Sequence, residues 1–277
     1  MIRLTPLLLL LLLTPALGGC LSSRMLSPRA AAPKPKIEAA FRAPVAAGQL
    51  VIHADFHLPP GHRMVSELTS ERQLVCDALH VPAGNEPIHM YLFADEATYR
   101  AHVAARYPTF PERRAIFVET DVTLSVYAHW SDRVAEDLRH EVSHGYLHSS
   151  VPNLPLWLDE GLAEYFEVAR GRRGVNRPHV DQLLSQLATG AWHPDLPHLE
   201  ALADAATMTQ LDYAEAWLWV HFLLESPSGS PAVLTDYLAA LRRGEPAAAL
   251  HATLPGRLPT AAPVDAAIVE HLRSLAL

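Results

Sequence analysis

The sequence predicts an α+β fold with a small mixed β-sheet in its first half and a mostly helical C-terminal half. Short apolar or alternating runs lie between residues 50 and 127, whereas apolar positions recur at helical spacing beyond residue 175. The chain has 277 residues, of which 49% are hydrophobic, so it can bury a sizeable core without disulfides. We expect one folded domain over residues 49–277, with no internal repeat.

The strands are expected before residue 130. Apolar runs bounded by turn residues predict strands at 50–56, 88–93, 115–119 and 122–127, the last two as a hairpin. Helices are expected between them, at residues 64–80 and from a cap at Asp95 to about residue 105. Four later helices are predicted at residues 180–188, 212–224, 231–241 and 263–275, and the second of these is apolar on nearly all sides, which indicates a buried helix.

The first 48 residues are typical of an export signal followed by a tether. The apolar run from Leu7 to Leu13 is too short to span a bilayer, and residues 17–20 read Leu-Gly-Gly-Cys, which resembles a bacterial lipobox. We expect a lipoprotein signal peptide over residues 1–19, lipid on Cys20 and a flexible tether over residues 20–48. The alternative is an ordinary signal peptide with an incidental cysteine. Lipid on Cys20, with a residue other than Asp after it, implies the bacterial cell envelope and the periplasmic face of the outer membrane.

Composition excludes one class of partner. The net charge is −8, and only 19% of residues are charged, with no basic stripe, so nucleic-acid binding is not expected. The Arg-rich turn at residues 170–173 is either solvated or a contact for an anionic substrate group. If Cys20 carries lipid, Cys76 has no partner for an intramolecular disulfide and is expected to be a buried residue on a helix.

The most informative motif lies at residues 140–144, which read His-Glu-Val-Ser-His. On a helix, His140 and His144 share one face and can point at a single ion, whereas Glu141 is rotated away and can reach a water on that ion. Glu160 follows sixteen positions after His144, behind a loop at residues 152–155 that separates two helices. Two imidazoles, one ligand carboxylate and one carboxylate base are the parts of a catalytic zinc site.

The motif alone is a weak signal in a chain with 16 histidines, since a His-rich surface helix gives the same letters. The flanking sequence favours the site, because residues 133–139 suit a helix, for which Asp132 is a plausible start cap, and a second helix near Leu156 would carry Glu160. A longer three-histidine zinc motif fails, since its required Gly and His positions hold Leu147 and Ser150. His148 cannot converge with two other i+4 histidines on one ion and is expected at the pocket rim or behind a ligand.

Residues 140–144 together with residues 156–165 (Leu-Trp-Leu-Asp-Glu-Gly-Leu-Ala-Glu-Tyr) resemble the gluzincin metallopeptidases, and most of all the peptidase-MA-like domains of bacterial envelope proteins. The resemblance implies a zincin-like fold with the sheet beside the motif helix, and Zn²⁺ bound by His140, His144 and Glu160, with Glu141 as general base. Glu164 matches a carboxylate that hydrogen-bonds a ligand histidine, or is a solvated helix residue. Tyr213 matches an oxyanion donor, or is a packing residue.

Two functions of different classes follow. The first is a zinc-dependent hydrolase of amide bonds, acting on a peptide or protein, peptidoglycan peptides included, and held at the membrane by its N-terminal lipid. The second is a non-catalytic envelope lipoprotein that uses a zincin fold for binding or assembly. The intact ligands and base favour the enzyme. Residues 122–128, directly before the motif helix, are expected to form the sheet edge that binds substrate backbone.

Overall fold

A computed structural model describes residues 41–110, 112–246 and 248–276. The predicted signal peptide, Cys20 and most of the predicted tether lie outside these residues. Within them, the strands of one mixed sheet are β1 (Val45–Ala47), β2 (Leu50–Ala54), β3 (Ile88–Phe93), β4 (Ala115–Thr120) and β5 (Thr123–His129). Their spatial order is β1-β2-β3-β5-β4. None of the helices in the described part of the chain is long and apolar enough to cross a membrane.

The edge of the sheet differs from the prediction. β5 pairs with β3 in parallel and with β4 in antiparallel register, so residues 122–128 are internal and β4 forms the edge. The reason lies in the side chains, since β5 is buried from Leu124 to His129, as a strand with neighbours on both sides should be. β4 instead ends in the exposed residues Glu119 and Thr120.

The start of the folded region also differs from the prediction. Residues 45–47, expected as the end of the tether, form β1 and pair antiparallel with β2 in the register Val45 to Ile52. Before β1, the Arg42 amide donates to the Ala54 carbonyl at 2.9 Å. The sheet therefore includes residues before the expected boundary at residue 49, because this short segment pairs with β2.

The helices that the sequence predicts are all present, with ends within three residues of the expected positions. They are α1 (Arg63–Leu79), α2 (Glu96–Arg106), α3 (Val134–His148), α4 (Leu156–Phe166), α5 (Arg177–Thr189), α6 (Leu196–Ala201), α7 (Gln210–Glu225), α8 (Pro231–Arg242), α9 (Leu250–Thr253) and α10 (Val264–Ser274). The short helices α6 and α9 were not predicted. Asp132 does not cap α3: the cap position is Arg133, which has no side-chain capping bond and instead pairs with Glu136 in the first turn.

The helices that carry the motif lie between the sheet and the C-terminal helices. α3 packs on β4 and β5 and on α1, and α4 packs on α3 and closely on α7. α7 is buried from Asp212 to Leu223 and begins with a capping box between Thr209 and Asp212. The predicted α+β class is confirmed, with the small mixed sheet beside the motif helix and a mostly helical C-terminal half.

One glycine allows the close contact between α4 and α7. A Cβ at Gly161 would lie 2.6 Å from the carbonyl oxygen of Ala216 on α7. Any larger residue would push the two helices apart. Because Glu160 precedes Gly161 on α4, this contact fixes the distance of Glu160 from α7.

Candidate metal centre

The structure brings together the three predicted metal ligands. His140 and His144 lie one turn apart on α3, and their Nε2 atoms are 3.3 Å from each other. Glu160 projects from α4 toward both: its Oε2 atom is 3.5 Å from His140 Nε2 and 3.7 Å from His144 Nε2. The three donor atoms therefore form a nearly equilateral triangle.

The triangle has the size that zinc requires. Ligand atoms at about 2.0–2.1 Å from a tetrahedral ion lie roughly 3.4 Å from one another. The Oε2 atom of Glu160 is buried and has no hydrogen-bond partner within the described part of the chain. A buried carboxylate oxygen without a partner is costly unless a cation satisfies it. These residues therefore fit a zinc ion.

Carboxylates hold the far side of both imidazoles. Asp159 Oδ1 accepts a hydrogen bond from His144 Nδ1 at 2.9 Å, and Glu167 Oε2 accepts one from His140 Nδ1 at 3.0 Å. A proton on each Nδ1 leaves the Nε2 lone pair free for a metal. Both carboxylates were missed by the sequence reasoning, although Asp159 adjoins Glu160 and Glu167 follows it by two helical turns.

Glu164 has a different role from the predicted one. Its Oε2 atom accepts hydrogen bonds from His179 Nε2 at 2.8 Å and from Asn176 Nδ2 at 3.3 Å, so its described partners are not zinc ligands. It is not a solvated helix residue either, because its side chain is only 13% exposed. Burial raises the pKa of Glu164, but the His179 bond and the nearby His140 outweigh it and bring the pKa to about 2.

Glu141 lies beside the ligands and is 9% exposed. Burial raises its pKa above the ordinary value, opposed by the neighbouring His140 and His144. A carboxylate with a raised pKa is a stronger base toward water than a solvated one. The predicted base therefore lines the same cleft as His140, and its pKa is shifted in the direction that favours proton uptake.

Tyr213 is in the first turn of α7, and its phenol is within electrostatic reach of Glu160 and His140. Its oxygen accepts a hydrogen bond from Arg113 Nη2 at 2.9 Å, and the guanidinium also lies 5.7 Å from the ring centroid. Burial raises the pKa of Tyr213, and the Arg113 hydrogen bond opposes this rise. Because Arg113 donates to the phenol oxygen, the phenol proton remains free to be donated. The sequence reasoning missed Arg113, since a residue in a loop belongs to no periodic pattern.

His148 lies behind a ligand, in agreement with its predicted place. Its Nε2 atom donates to Asp159 Oδ2 at 3.0 Å, and its Nδ1 atom donates to Glu119 Oε2 at 2.6 Å. Burial lowers the pKa of His148, but these two carboxylates outweigh it and raise the pKa to about 9. A charged His148 therefore holds Asp159 in place against His144. Phe117 of the edge strand stacks on His144, with ring centroids 5.7 Å apart.

The centre opens into a cleft of about 890 Å³. His140 and Glu141 line the cleft together with Arg113, which precedes β4, and Arg172, which follows α4. Arg172 belongs to the predicted Arg-rich turn, so one of its arginines does reach the cleft. Arg173 instead pairs with Glu225 at 2.5 Å, away from the ligands.

Comparison with known proteins adds little. No family model matches the chain, and no curated protein matches it. Among solved structures, an M1 zinc metallopeptidase from Deinococcus radiodurans is similar over 85% of this chain, with 17% sequence identity and a TM-score of 0.35. The match spans 50% of that protein's chain. A likeness at this level supports no assignment of activity, which therefore depends on the geometry of the centre itself.

Proposed function

We propose that this protein is a zinc-dependent hydrolase of peptide bonds. The observation that carries the proposal is the triangle of His140 Nε2, His144 Nε2 and Glu160 Oε2, with sides of 3.3–3.7 Å around a buried oxygen that lacks a partner. Its size, its donor types and the base beside it suit a catalytic zinc ion with an open coordination position. A structural zinc site would instead use four protein ligands.

Each side chain of the centre has its own role in the proposed hydrolysis. Zinc, when bound, supplies Lewis acidity toward a carbonyl oxygen and lowers the pKa of water. Glu141 accepts the proton of the attacking water and returns it to the leaving amine. Tyr213 donates its phenol proton as a hydrogen bond to the developing oxyanion. Asp159 and Glu167 keep the two ligand histidines in the tautomer that binds metal.

The substrate we propose is a peptide or protein of the bacterial envelope, peptidoglycan peptides included. Two features support this. The edge strand β4 has no partner on its outer side within the described residues and lies beside α3, so an extended chain can add to it. The lipobox-like sequence before Cys20 supports a lipid anchor at the periplasmic face of the outer membrane.

Metal content tests the proposal. The purified full chain should contain about one zinc per molecule by elemental analysis, and His144→Ala should lose it. His193→Ala is the control, because His193 is an exposed histidine outside the contacts around the ligands, so this variant should retain zinc. A wild type that binds no zinc even in excess metal at neutral pH would mean that the ligands do not converge, and a binding or assembly function would then lead.

Two further variants separate catalysis from metal binding. Glu141→Gln should keep its zinc and lose turnover of peptide substrates, whereas full biological function in this variant would refute the enzyme proposal. Tyr213→Phe should lower kcat by about 10²–10³-fold with little change in KM, because the lost hydrogen bond forms only in the transition state. Unchanged kcat in Tyr213→Phe would assign Tyr213 to packing.

A further inference from the structure

Arg113 is a cation in the wall of the cleft that the proposed mechanism leaves unused. It lies in the loop before the edge strand β4, and its guanidinium is within electrostatic reach of both Glu141 and Glu160. Its one described side-chain partner is the Tyr213 phenol, which is neutral at physiological pH. A guanidinium has five N–H donors, so most of its donor capacity remains free toward the cleft.

Four other arginines of the cleft are neutralised locally by carboxylates, and Arg177 donates to the backbone carbonyl of Leu275. Arg100 pairs with Glu96 and Glu112, and Arg114 pairs with Asp137. Likewise, Arg133 pairs with Glu136, and Arg139 pairs with Glu67.

Arg113 and Arg172 differ from these four. Neither has a carboxylate within 4.0 Å in the described part of the chain, and both line the cleft of the metal centre. Neither arginine is therefore neutralised by an ion pair, although Glu141 and Glu160 act on Arg113 from a longer distance. Such a pair attracts an anionic group on whatever enters the cleft.

The positive charge of Arg113 lies at one end of the edge strand. Arg113 lies just before the start of β4. Glu119 lies near the end of β4, where its carboxylate forms an ion pair with His148. A substrate lying along β4 thus meets free positive charge at one end and a neutralised carboxylate at the other.

We propose that Arg113, assisted by Arg172, determines specificity by binding a substrate carboxylate next to the scissile bond, an inference that rests on the proposed peptidase function. Arg113 would donate to the carboxylate through the N–H groups that Tyr213 does not use. The carboxylate is either the C-terminus of the substrate or an Asp or Glu side chain. The first source makes the enzyme a carboxypeptidase, and the second makes it an endopeptidase with acidic specificity.

Matched peptide pools test the proposal. The zinc-loaded full chain is given a random N-acetylated hexapeptide pool as free acid and as C-terminal amide in one reaction, with products quantified by mass spectrometry. A second pair consists of amidated pools with Asp or Asn fixed at each position in turn. We expect at least about tenfold faster cleavage of the acid in one pair, as a charge-assisted hydrogen bond predicts. The pair that responds identifies the source of the carboxylate.

For each variant, the ratio of acid cleavage to amide cleavage is measured, because a general loss of activity leaves this ratio unchanged. Arg113→Gln should bring the ratio of acid to amide cleavage close to one, Arg172→Ala should reduce it partly, and Arg113→Lys should retain part of it. Arg100→Gln is the matched control, because Arg100 also lines the cleft but is already paired. An unchanged ratio in Arg113→Gln would refute the proposed role.

A binding measurement separates this inference from the proposed function. The zinc-loaded Glu141→Gln variant is mixed with the same pools, and retained peptides are identified after gel filtration. Preferential retention of the acid pools supports the role of Arg113 independently of turnover. Equal cleavage of acid and amide pools by the wild type overturns the proposed specificity for a carboxylate and leaves the proposed peptidase function intact. If the wild type cleaves no pool and Glu141→Gln retains none, both the specificity and the peptidase function are overturned.

Discussion

Gly161→Ala is the sharpest test of how the fold positions the site. The new Cβ would lie 2.6 Å from the Ala216 carbonyl oxygen and 3.0 Å from Val220 Cγ2. The closest of these neighbours is helix backbone, so α4 and α7 must separate by about 0.4 Å to reach even the 3.0 Å that is the lower limit for real Cβ contacts. Overpacking of this kind costs about 1–3 kcal/mol, whereas Gly to Ala inside a helix returns about 0.5–1 kcal/mol.

The expected net effect of Gly161→Ala is a loss of roughly 1 kcal/mol in the free energy of unfolding, within a range of about 0–2.5 kcal/mol, measured by urea denaturation without metal. Gly256→Ala is the control, because a Cβ at Gly256 meets nothing within 4 Å. The same separation would move Tyr213 relative to Glu160, so kcat should fall while zinc content is kept. A Gly161→Ala protein as stable as the wild type, with unchanged kcat, would refute the claim that this contact sets the site.

Two further predictions follow from the contacts around the motif helix. Asp159→Asn and Glu167→Gln should each weaken zinc affinity by about 10–100-fold in chelator competition, and Glu164→Gln should weaken it less; an equal loss in Glu164→Gln would restore Glu164 as the partner of a ligand histidine. Burial raises the pKa of Glu71 well above its usual range, despite the hydrogen bond from Ser143. A raised folded pKa gives stability that is complete below the unfolded pKa and is lost as pH rises through the folded one, so Glu71→Gln should be more stable than the wild type at pH 7. The advantage should shrink by about 1.4 kcal/mol per pH unit between the two pKa values and vanish at acid pH, and equal stability at pH 7 would contradict the reasoning.

The predictable parts of the fold were those that local sequence determines. The motif helix, the helix that carries Glu160 and the hairpin of β4 and β5 each follow from periodicity and turn residues over short windows. The order of the strands does not follow from local sequence. β5 lies between β3 and β4 because it pairs in parallel with β3, and α2 and β4 separate these two strands in the sequence. Proximity in sequence to the motif helix therefore pointed to the wrong edge strand.

The same distinction applies to the site. The helical period places Glu164 and Glu167 near the face that Glu160 uses, but which of the two meets His140 depends on how α4 crosses α3. That crossing is fixed by distant contacts, such as Gly161 against α7. Arg113 was beyond reach for a different reason, since its loop belongs to no periodic element and its partner Tyr213 is 100 residues away.

The electrostatics of the centre explain why these side chains converge at all. Burial disfavours a charged imidazole, yet the carboxylates of Glu160 and Glu167 raise the pKa of His140 well above its usual value, and Asp159 raises the pKa of His144. Without metal, the carboxylates of the site thus favour the protonated form of both histidines. A divalent cation satisfies the same carboxylates, including the otherwise unpartnered oxygen of Glu160, and frees the imidazoles to act as neutral ligands. Zinc must therefore displace protons as it binds, so its affinity should fall with decreasing pH, whereas a cluster that merely stabilised the fold through ion pairs would be complete with the protons alone.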